Sequence, residues 1–435
     1  MKKIALINHG CAKNLIDSEL MLGLLIEAGY EITLDDTKSD IIIVNTCSFI
    51  HDAEEESVKS ILEMIGEGKK VVITGCLPQK HKKELQKAIP EAVAFLGTSD
   101  YDKIVDVVKN ISKNAGGAYY KVSENPCYNY DENVKRQQIT VGASSYIKIA
   151  DGCNFECGYC IIPSLRGKYH SRTIENVVKE AQDLASKGVN EIVLIAQDTT
   201  SYGIDLYGEP SLAKLLEELN KIEELSWIRV MYTYPSMIDD ELLLAINNLE
   251  KVVKYVDIPL QHSSKNVLKQ MKRPALDYKK LIKKMRKLVP DIAIRTTFIV
   301  GYPGENEEDF QNLYDFIEEM RFDKLGVFEF SKEKGTYAYS LKDQIPARIK
   351  KQRKNKLMKL QQKISKDINK RLIGSEVDSI VESVMEDGLV VARTYKDAPE
   401  VDGLLYIETE EMLAPGDIIK VKITDSNEYD LFGKI

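Results

Sequence analysis

The sequence predicts an α/β protein with an N-terminal parallel α/β sheet domain, a central (β/α) partial barrel and a small C-terminal, OB-like β-barrel. Three observations support this prediction. Apolar β-branched runs alternate with helical periodicity over residues 3–110, a second alternating series begins at Tyr146, and residues 372–435 contain about five short strands separated by turn signals. The predicted segments are residues 1–115, a linker at 116–138, residues 139–370 and residues 371–435.

The N-terminal series contains the apolar runs KIALIN, EITL, IIIVNT and KVVITG. Helical periodicity follows them from about Asp17, Ala53 and Lys82. This βαβα pattern is typical of a parallel sheet that is covered on both faces. Residues 111–140 lack periodicity and predict the linker, in which Cys127 has neither a preceding strand nor a spaced partner cysteine. We therefore expect no chemical role for Cys127.

Three cysteines occupy equivalent places in the N-terminal series. Cys11, Cys47 and Cys76 each follow the carboxyl end of an apolar strand, in ALINHGC, IIIVNTC and KVVITGC. In open α/β sheets, ligands bind at this edge. The threefold recurrence favours one shared site, while three unrelated, small buried side chains remain the alternative.

The central series contains six apolar runs, each followed by a helical stretch, such as residues 174–187 and 278–288. This pattern predicts a (β/α) barrel, complete or partial, with its chemistry at the carboxyl ends of the strands. The runs are SYIKIADGC, NEIVLIAQDTT, IRVMYTYP, KYVDIPLQH, AIRTTFIVGYPGE and DKLGVFEFS. The polar residues at their ends are Cys153, Gln197, Asp198, Tyr234, Gln261, His262 and residues 301–305.

The composition is ordinary for a globular protein, with 43% hydrophobic and 29% charged residues. The seven cysteines are an odd number, and the strand pattern that starts at Lys3 leaves no space for a signal peptide. Both facts favour metal or redox chemistry over a disulfide framework. No apolar run approaches the roughly 18 residues that cross a bilayer. We therefore expect a cytoplasmic protein with no membrane partner.

The formal net charge of -8 is unevenly distributed. Residues 342–370 hold eleven Lys or Arg against two Asp, whereas residues 371–435 hold six basic and fifteen acidic residues. The basic run predicts the solvated face of a linking helix. The acidic tail would repel a phosphate backbone and attract a basic protein.

The strongest local motif is DGCNFECGYC, in which Cys153, Cys157 and Cys160 have the spacing C-x3-C-x2-C. Three thiolates on one loop can hold three irons of a 4Fe-4S cluster and leave the fourth iron open. A structural zinc site would need a fourth ligand, for which His170 is the candidate, but the spacing differs from the usual paired CxxC knuckles.

This loop resembles the signature of the radical S-adenosylmethionine (SAM) enzymes. The resemblance implies that the open iron binds SAM, and that an electron from the cluster cleaves SAM to give a 5′-deoxyadenosyl radical. Tyr159, which precedes the last cysteine, would contact the adenine. Gln197, Asp198 and the GYPGE segment from Gly301 to Glu305 resemble the strand-end elements that hold the rest of SAM. Ordinary capping and turn chemistry is the alternative for each of these residues.

The whole chain resembles the radical-SAM methylthiotransferases, which combine such a barrel with an N-terminal cysteine triad and a C-terminal TRAM domain. The resemblance implies that Cys11, Cys47 and Cys76 hold a second 4Fe-4S cluster. It also implies that SAM serves both as methyl donor and as radical source. In this family a methylthio group replaces an unactivated C–H bond, which a base cannot open because the hydrogen is not acidic.

Several stretches resemble the RimO-type branch, which modifies an aspartate of the twelfth small-subunit ribosomal protein. They are GCAKNLIDSE, VNTCSFIHDAEEES, IAQDTTSYG, DIPLQHSS and RTYKDAPEVDGLLYI, with Ala12 as a departure where proline is more usual. The resemblance implies a basic ribosomal protein as substrate, free or in the ribosome, and a flavodoxin or ferredoxin-type reductant. The acidic tail favours the same branch. The alternatives are a MiaB-type enzyme acting on a tRNA adenosine and, more remotely, a non-catalytic iron-sulfur or RNA-binding protein.

Overall fold

The structure, a computed structural model, describes residues 2–113, 117–127, 130, 134–139, 142–386 and 388–435. The predicted linker at 116–138 therefore lies partly outside the described residues. None of the described helices combines the length and the apolar character that crossing a bilayer requires.

The N-terminal residues form a parallel sheet with helices on both faces, as predicted. The strands are β1 (Lys3–Asn8), β2 (Glu31–Ile32), β3 (Ile41–Thr46), β4 (Lys70–Gly75), β5 (Ala94–Leu96) and β6 (Tyr119–Lys121). The helices are α1 (Ala12–Glu27), α2 (His51–Gly66), α3 (Cys76–His81), α4 (Lys83–Ala88) and α5 (Ile104–Ser112). β3 is buried along its whole length, in keeping with the four consecutive apolar residues at 41–44 with which it begins. β6 lies inside the predicted linker, and α1 begins at Ala12, not near Asp17.

The strand order of this sheet is β2-β1-β3-β4-β5-β6. β1 pairs in parallel with both β2 and β3, so the order reverses between β1 and β3. Ligands of open α/β sheets bind outside the carboxyl ends of the strands at such a switch point. Cys11 follows β1, Cys47 follows β3 and Cys76 follows β4. The topology therefore brings the three cysteines to one edge of the sheet.

The central residues form a parallel sheet in the order β14-β13-β12-β11-β10-β7, surrounded by helices, which is the predicted partial barrel. Its strands are β7 (Ser144–Lys148), β10 (Glu191–Ile195), β11 (Trp227–Val230), β12 (Val252–Asp257), β13 (Ala293–Val300) and β14 (Lys324–Glu329), and β8 (Ala150–Asp151) pairs separately with β9 (His170–Ser171). The helices are α6 (Ile162–Arg166), α7 (Ile174–Ser186), α8 (Ile204–Tyr207), α9 (Leu212–Leu219), α10 (Asp240–Asn248), α11 (Lys265–Gln270), α12 (Tyr278–Leu288), α13 (Glu307–Met320) and α14 (Ala347–Leu372).

Helix α14 carries the basic run. Leu357, Leu360 and Ile364 form its apolar stripe and pack into the core of the partial barrel. Lys363 and Lys366 are exposed on the other side. The solvated basic face that the sequence predicts is therefore present, but the helix is also part of the barrel's packing.

The C-terminal residues form a closed barrel in the order β15-β16-β17-β19-β18. Its strands are β15 (Glu376–Val384), β16 (Val390–Thr394), β17 (Leu405–Ile407), β18 (Ile418–Ser426) and β19 (Leu431–Lys434). Arg393 of this barrel donates to the Glu191 carboxylate of β10 at 2.5 Å, and Arg229 of β11 donates to the same carboxylate at 2.7 Å. All three side chains are buried, and the pair between Arg393 and Glu191 joins the C-terminal barrel to the partial barrel.

Candidate active site

The carboxyl ends of the two parallel sheets meet around one cavity of about 460 Å³. Six of the seven cysteines line this cavity. They are Cys11, Cys47 and Cys76, here called the N-terminal cysteine set, and Cys153, Cys157 and Cys160, here called the loop cysteine set. The two cysteine sets, which the sequence predicts as separate sites, therefore line the same cavity.

The N-terminal cysteine set is held by the strand ends and by Asn14 of α1. The Asn14 amide donates to the Asn45 side-chain oxygen at 3.1 Å and lies 4.0 Å from the Cys76 sulfur. Gly75, directly before Cys76, has φ +94, and a Cβ there would lie 2.3 Å from the Asn45 oxygen. A side chain at position 75 would therefore displace the groups that position Cys76.

The loop cysteine set follows β8 on a tight loop. Gly152, directly before Cys153, has φ +77, and a Cβ there would lie 2.1 Å from the backbone oxygen of Lys168. The backbone N–H of Cys160 donates to the oxygen of Cys157 at 2.9 Å. The loop thus needs glycine at position 152 to bring its thiols together.

The spacing of the sulfurs distinguishes between a single ion and a cluster. Among the described residues, neither cysteine set has its three sulfurs all within 4.8 Å of one another. Sulfur ligands of one tetrahedral zinc ion lie about 3.8 Å apart, given Zn–S bonds of about 2.3 Å. His170, the imagined fourth zinc ligand, is exposed and contacts Asp205 at 3.3 Å. The spacing therefore disfavours a single zinc ion and is compatible with a larger iron-sulfur cluster.

Burial makes these thiols weak acids without metal. It raises the pKa of Cys76 and of Cys160 to about 12, and the pKa of Cys153 to about 11. Arg166 partly opposes the rise in the pKa of Cys76. Since the thiolate is the metal ligand, loading of a metal cluster would release these protons.

A buried network of four charges joins the two sheet domains beside the cavity. Asp17 of α1 accepts hydrogen bonds from Lys148 of β7 and, at 2.7 Å, from Arg166 of α6. Asp151 accepts from the same two cations at 2.9 Å each. Burial alone would raise the pKa of Asp151, but Arg166 and Lys148 outweigh it and hold that pKa well below its usual range. We call these residues the interdomain charge network.

Arg166 extends the interdomain charge network toward the N-terminal cysteine set. Its guanidinium donates to the side-chain oxygen of Asn14 at 2.8 Å, and the Asn14 amide lies beside Cys76. The same carboxyl group of Asp151 accepts from the amide of Gln197 at 2.7 Å. A continuous polar chain thus runs from the N-terminal cysteine set to the end of β10.

Two further buried cations line the cavity. Lys13 of α1 places its Nζ 3.0 Å from the ring centroid of Tyr232, and burial lowers the pKa of Lys13 to about 8. Arg273 lies on the side of the loop cysteine set, where it donates to the Tyr159 hydroxyl at 3.2 Å and lies 3.8 Å from the Cys157 sulfur. Each cysteine set therefore has a cation beside it.

The structure places three of the five residues predicted to contact SAM in the wall of the cavity. These are Tyr159, Gln197 and Asp198. Asp198 also accepts from the backbone N–H of Thr200 at 2.9 Å, and burial raises its pKa.

Gly301 and Glu305 are not part of the described wall of the cavity. The Glu305 carboxylate accepts from the backbone N–H of Gly301 at 2.6 Å and from Arg353 of α14 at 2.7 Å. Both residues thus stabilise the turn after β13 and its contact with α14. Their role toward SAM stays a prediction.

Cys127 does not line the cavity. It is exposed and borders a separate, open groove of about 1120 Å³, which Cys153 also reaches. Its predicted lack of a chemical role stays a prediction.

Several residues of the site escaped sequence reasoning. Asp17, Lys148 and Arg166 belong to helices and strands whose periodicity gives no sign of a site, and Asp17 and Lys148 are 131 residues apart. Arg273 lies in the segment between α11 and α12, outside any recognised motif. Asp151 had a usable signal, because it stands two residues before Cys153 in the motif.

Comparison with known families agrees with this architecture. Residues 147–317 match the radical SAM superfamily, residues 3–97 match the uncharacterized protein family UPF0004, and residues 373–435 match the TRAM domain. A radical S-adenosylmethionine methyltransferase, TsrM from Kitasatospora setae, has the same fold over 75% of each chain, with a TM-score of 0.56 and 15% identity. The fold and the loop motif together define a radical-SAM protein.

Similar curated proteins indicate the family within the radical-SAM class. The chain is 48% identical over 441 residues to ribosomal protein uS12 methylthiotransferase RimO of Caldanaerobacter subterraneus, with both chains covered completely. It is 45% identical to the RimO proteins of a Thermoanaerobacter species and of Citrifermentans bemidjiense, covering all of this chain and at least 98% of each relative. The chain belongs to the uS12 methylthiotransferase RimO family, as the sequence motifs predicted.

Proposed function

We propose that this protein is a radical-SAM methylthiotransferase that inserts a methylthio group at an unactivated C–H bond of an aspartate in ribosomal protein uS12. The observation that carries the proposal is the convergence of both cysteine sets on one cavity. The names of the relatives supply the class of substrate.

The loop cysteine set is the proposed ligand set of the 4Fe-4S cluster that activates SAM. Its three thiols leave one iron open, and their sulfurs are spaced too widely for one zinc ion. When bound, this cluster supplies the electron that cleaves SAM to a 5′-deoxyadenosyl radical. Tyr159, Gln197 and Asp198 would hold SAM against it, since all three line the cavity. Gly301 and Glu305 would act through the turn that they stabilise.

The N-terminal cysteine set is the proposed ligand set of a second 4Fe-4S cluster. Support comes from its place at the switch point of the sheet and from its position on the same cavity as the loop cysteine set. A substrate carbon in this cavity would have SAM on one side and the second cluster on the other.

The largely apolar part of the cavity wall suits radical chemistry. Phe155 stacks on Tyr234 with ring centroids 3.7 Å apart, and both rings line the cavity with Ile162 and Leu165. An apolar wall limits side reactions of a reactive species with water.

The C-terminal barrel is the proposed recognition element for uS12. Its fifteen acidic and six basic residues, counted over residues 371–435, give a negative field that would attract a basic ribosomal protein. This field would attract uS12 both as a free protein and as part of the ribosome. A flavodoxin or ferredoxin-type protein is the proposed electron donor.

The proposed activity is tested by anaerobic incubation of the iron-loaded enzyme with SAM, sulfide and a chemical reductant, with uS12 and tRNA offered in parallel. Mass spectrometry should find methylthio-aspartate in uS12. Modified tRNA with unmodified uS12 would overturn the proposed substrate, and the absence of 5′-deoxyadenosine would overturn the radical-SAM reaction.

The two ligand sets are tested by iron content after reconstitution. The native chain should hold about eight irons, and Cys11→Ala/Cys47→Ala/Cys76→Ala about four, with SAM cleavage retained and sulfur insertion lost. Cys127→Ala is the matched control, because this cysteine lies outside the cavity, and should keep about eight. Eight irons in the triple variant would show that the N-terminal cysteine set is structural.

A further inference from the structure

Lys13 is a buried cation that has no anionic partner among the described residues. It stands in the first turn of α1, is 7% exposed and lines the cavity between the cysteine sets. The face of the Tyr232 ring is its contact, at 3.0 Å from Nζ to the centroid. Within the described ranges, its Nζ forms neither an ion pair nor a hydrogen bond.

The carboxylates nearest to Lys13 already have cationic partners. Asp257 is paired with Arg295 at 3.1 Å, and Asp151 is paired with Lys148 and Arg166 in the interdomain charge network. Both carboxylates, and the Cys11 thiolate, attract the ammonium group of Lys13 at longer range, but among the described residues none of them forms an ion pair with it.

Two other cations line the cavity: Arg166 belongs to the interdomain charge network, and Arg273 is engaged on the opposite side. Its guanidinium bonds the Tyr159 hydroxyl and the backbone oxygen of Pro259, at 3.2 and 2.9 Å. Lys13 is thus the cation of the N-terminal side that remains available to a ligand.

Burying an unpaired ammonium group is costly, because desolvation is not repaid by a counter-charge. Such a group is explained when a ligand supplies the missing anion. The cation–π contact with Tyr232 keeps the ammonium group in the cavity but leaves its N–H donors without an acceptor.

We propose that Lys13 forms a carboxylate-binding subsite, which receives the side-chain carboxylate of the substrate aspartate. This inference rests on the proposed function, and it names the group that would distinguish aspartate from its neutral analogues. The carboxylate would pair with Lys13 while the adjoining carbon chain lies in the cavity between the two cysteine sets. The ion pair would be sheltered from water, and the charge of the substrate would decide its binding.

The test changes the charge of the substrate residue and the charge of residue 13, separately and together, and measures binding. Binding of uS12 with its native aspartate, and of uS12 with asparagine there, is measured anaerobically by fluorescence anisotropy on iron-loaded enzyme. The native enzyme should bind the asparagine form roughly ten- to a hundredfold more weakly. Lys13→Met should bind both forms equally, and Lys13→Arg should keep part of the preference.

Lys332→Gln is the matched control. Lys332 also lies over a tyrosine ring, that of Tyr339, at 4.9 Å, but it is exposed and outside the cavity. This variant should keep the full preference for aspartate. Iron content is measured for each variant, so that a loss of binding is not confused with a loss of clusters.

Two results would overturn the inference. One is equal binding of the two uS12 forms by the native enzyme, which needs no variant at all. The other is an unchanged aspartate preference in Lys13→Met, which would assign the charge of Lys13 to the N-terminal cysteine set. Failure of the proposed function is distinct, since the native enzyme would then leave uS12 without a methylthio group.

Discussion

Replacement of Asp17 by asparagine tests how strongly the interdomain charge network holds the two sheet domains together. The change keeps the size of the side chain but removes one of the two carboxylates with which Lys148 and Arg166 form ion pairs in the interdomain charge network. All four side chains are buried, so water cannot compensate the unpaired positive charge. Breaking a buried pair in this way costs about 3–5 kcal/mol, and we expect the free energy of opening the interface to fall by that amount.

The assay is hydrogen exchange of the backbone amides of α1, followed by mass spectrometry on the iron-loaded protein. A loss of this size should accelerate exchange by roughly a hundredfold or more. Glu218→Gln, which removes an exposed ion pair with Lys221 at 2.7 Å, is the control and should cost less than about 1 kcal/mol.

A double variant separates the charge imbalance from other effects. Asp17→Asn combined with Lys148→Met restores equal numbers of positive and negative charges in the interdomain charge network. Its cost should fall below the sum of the single costs by about 1–3 kcal/mol. The reasoning is refuted if Asp17→Asn is as mild as Glu218→Gln, or if the two single costs simply add.

Three further outcomes are expected. Burial alone would raise the pKa of Glu191, but Arg393 and Arg229 lower that pKa from its usual value near 4.5 to about 2. The contact between the C-terminal barrel and the partial barrel should therefore be stable above about pH 4.5 and weaken as the pH falls toward 2, which limited proteolysis would measure. Glu191→Gln should remove this pH dependence and weaken the contact already at neutral pH. Gly152→Ala should strain the loop by about 1–3 kcal/mol and reduce the iron content, because its Cβ would meet the backbone oxygen of Lys168. Gly188→Ala is the control for backbone strain alone, because Gly188 also has a positive φ but has open space around it. Association with uS12, measured by stopped-flow fluorescence, should slow as salt is raised, and an equal rate at all salt concentrations would contradict electrostatic steering by the acidic tail.

The predicted fold class and family are confirmed, because their signals are local and repeated. Most strands of the two parallel sheets are apolar runs, and each cysteine of the N-terminal cysteine set follows one of them. The exceptions are short strands at the sheet edge, such as β6, which lies inside the predicted linker. Once a parallel sheet is predicted, the meeting of Cys11, Cys47 and Cys76 at one edge follows from topology. The same logic predicted Gln197 and Asp198 near the loop cysteine set, where the structure has them.

The start of α1 was predicted too late because the usual capping signal is absent. Cys11 is the N-cap residue, and its side chain makes no capping hydrogen bond. Sequence rules look for Ser, Thr, Asp or Asn at this position, so the helix is recognised only where its apolar periodicity begins.

The electrostatics of the site were beyond sequence reasoning because they depend on pairing between distant segments. The sequence does not show which of the two lysines, Lys13 or Lys148, has an acidic partner. Only the packed structure pairs Lys148 with Asp17 and leaves Lys13 against the ring of Tyr232. Glu305 illustrates the converse, since its motif resembles a cofactor element while its carboxylate bonds its own turn.

Exchange of domains between relatives would be constrained by the interdomain charge network. A hybrid that joins this N-terminal sheet to another barrel carries Asp17 into a foreign interface, and it needs a recipient with the equivalents of Lys148, Asp151 and Arg166. Without them, a lone carboxylate is sealed where water does not reach it. The sheet and the partial barrel should therefore be inherited together, so that the two cysteine sets are passed on as a matched pair.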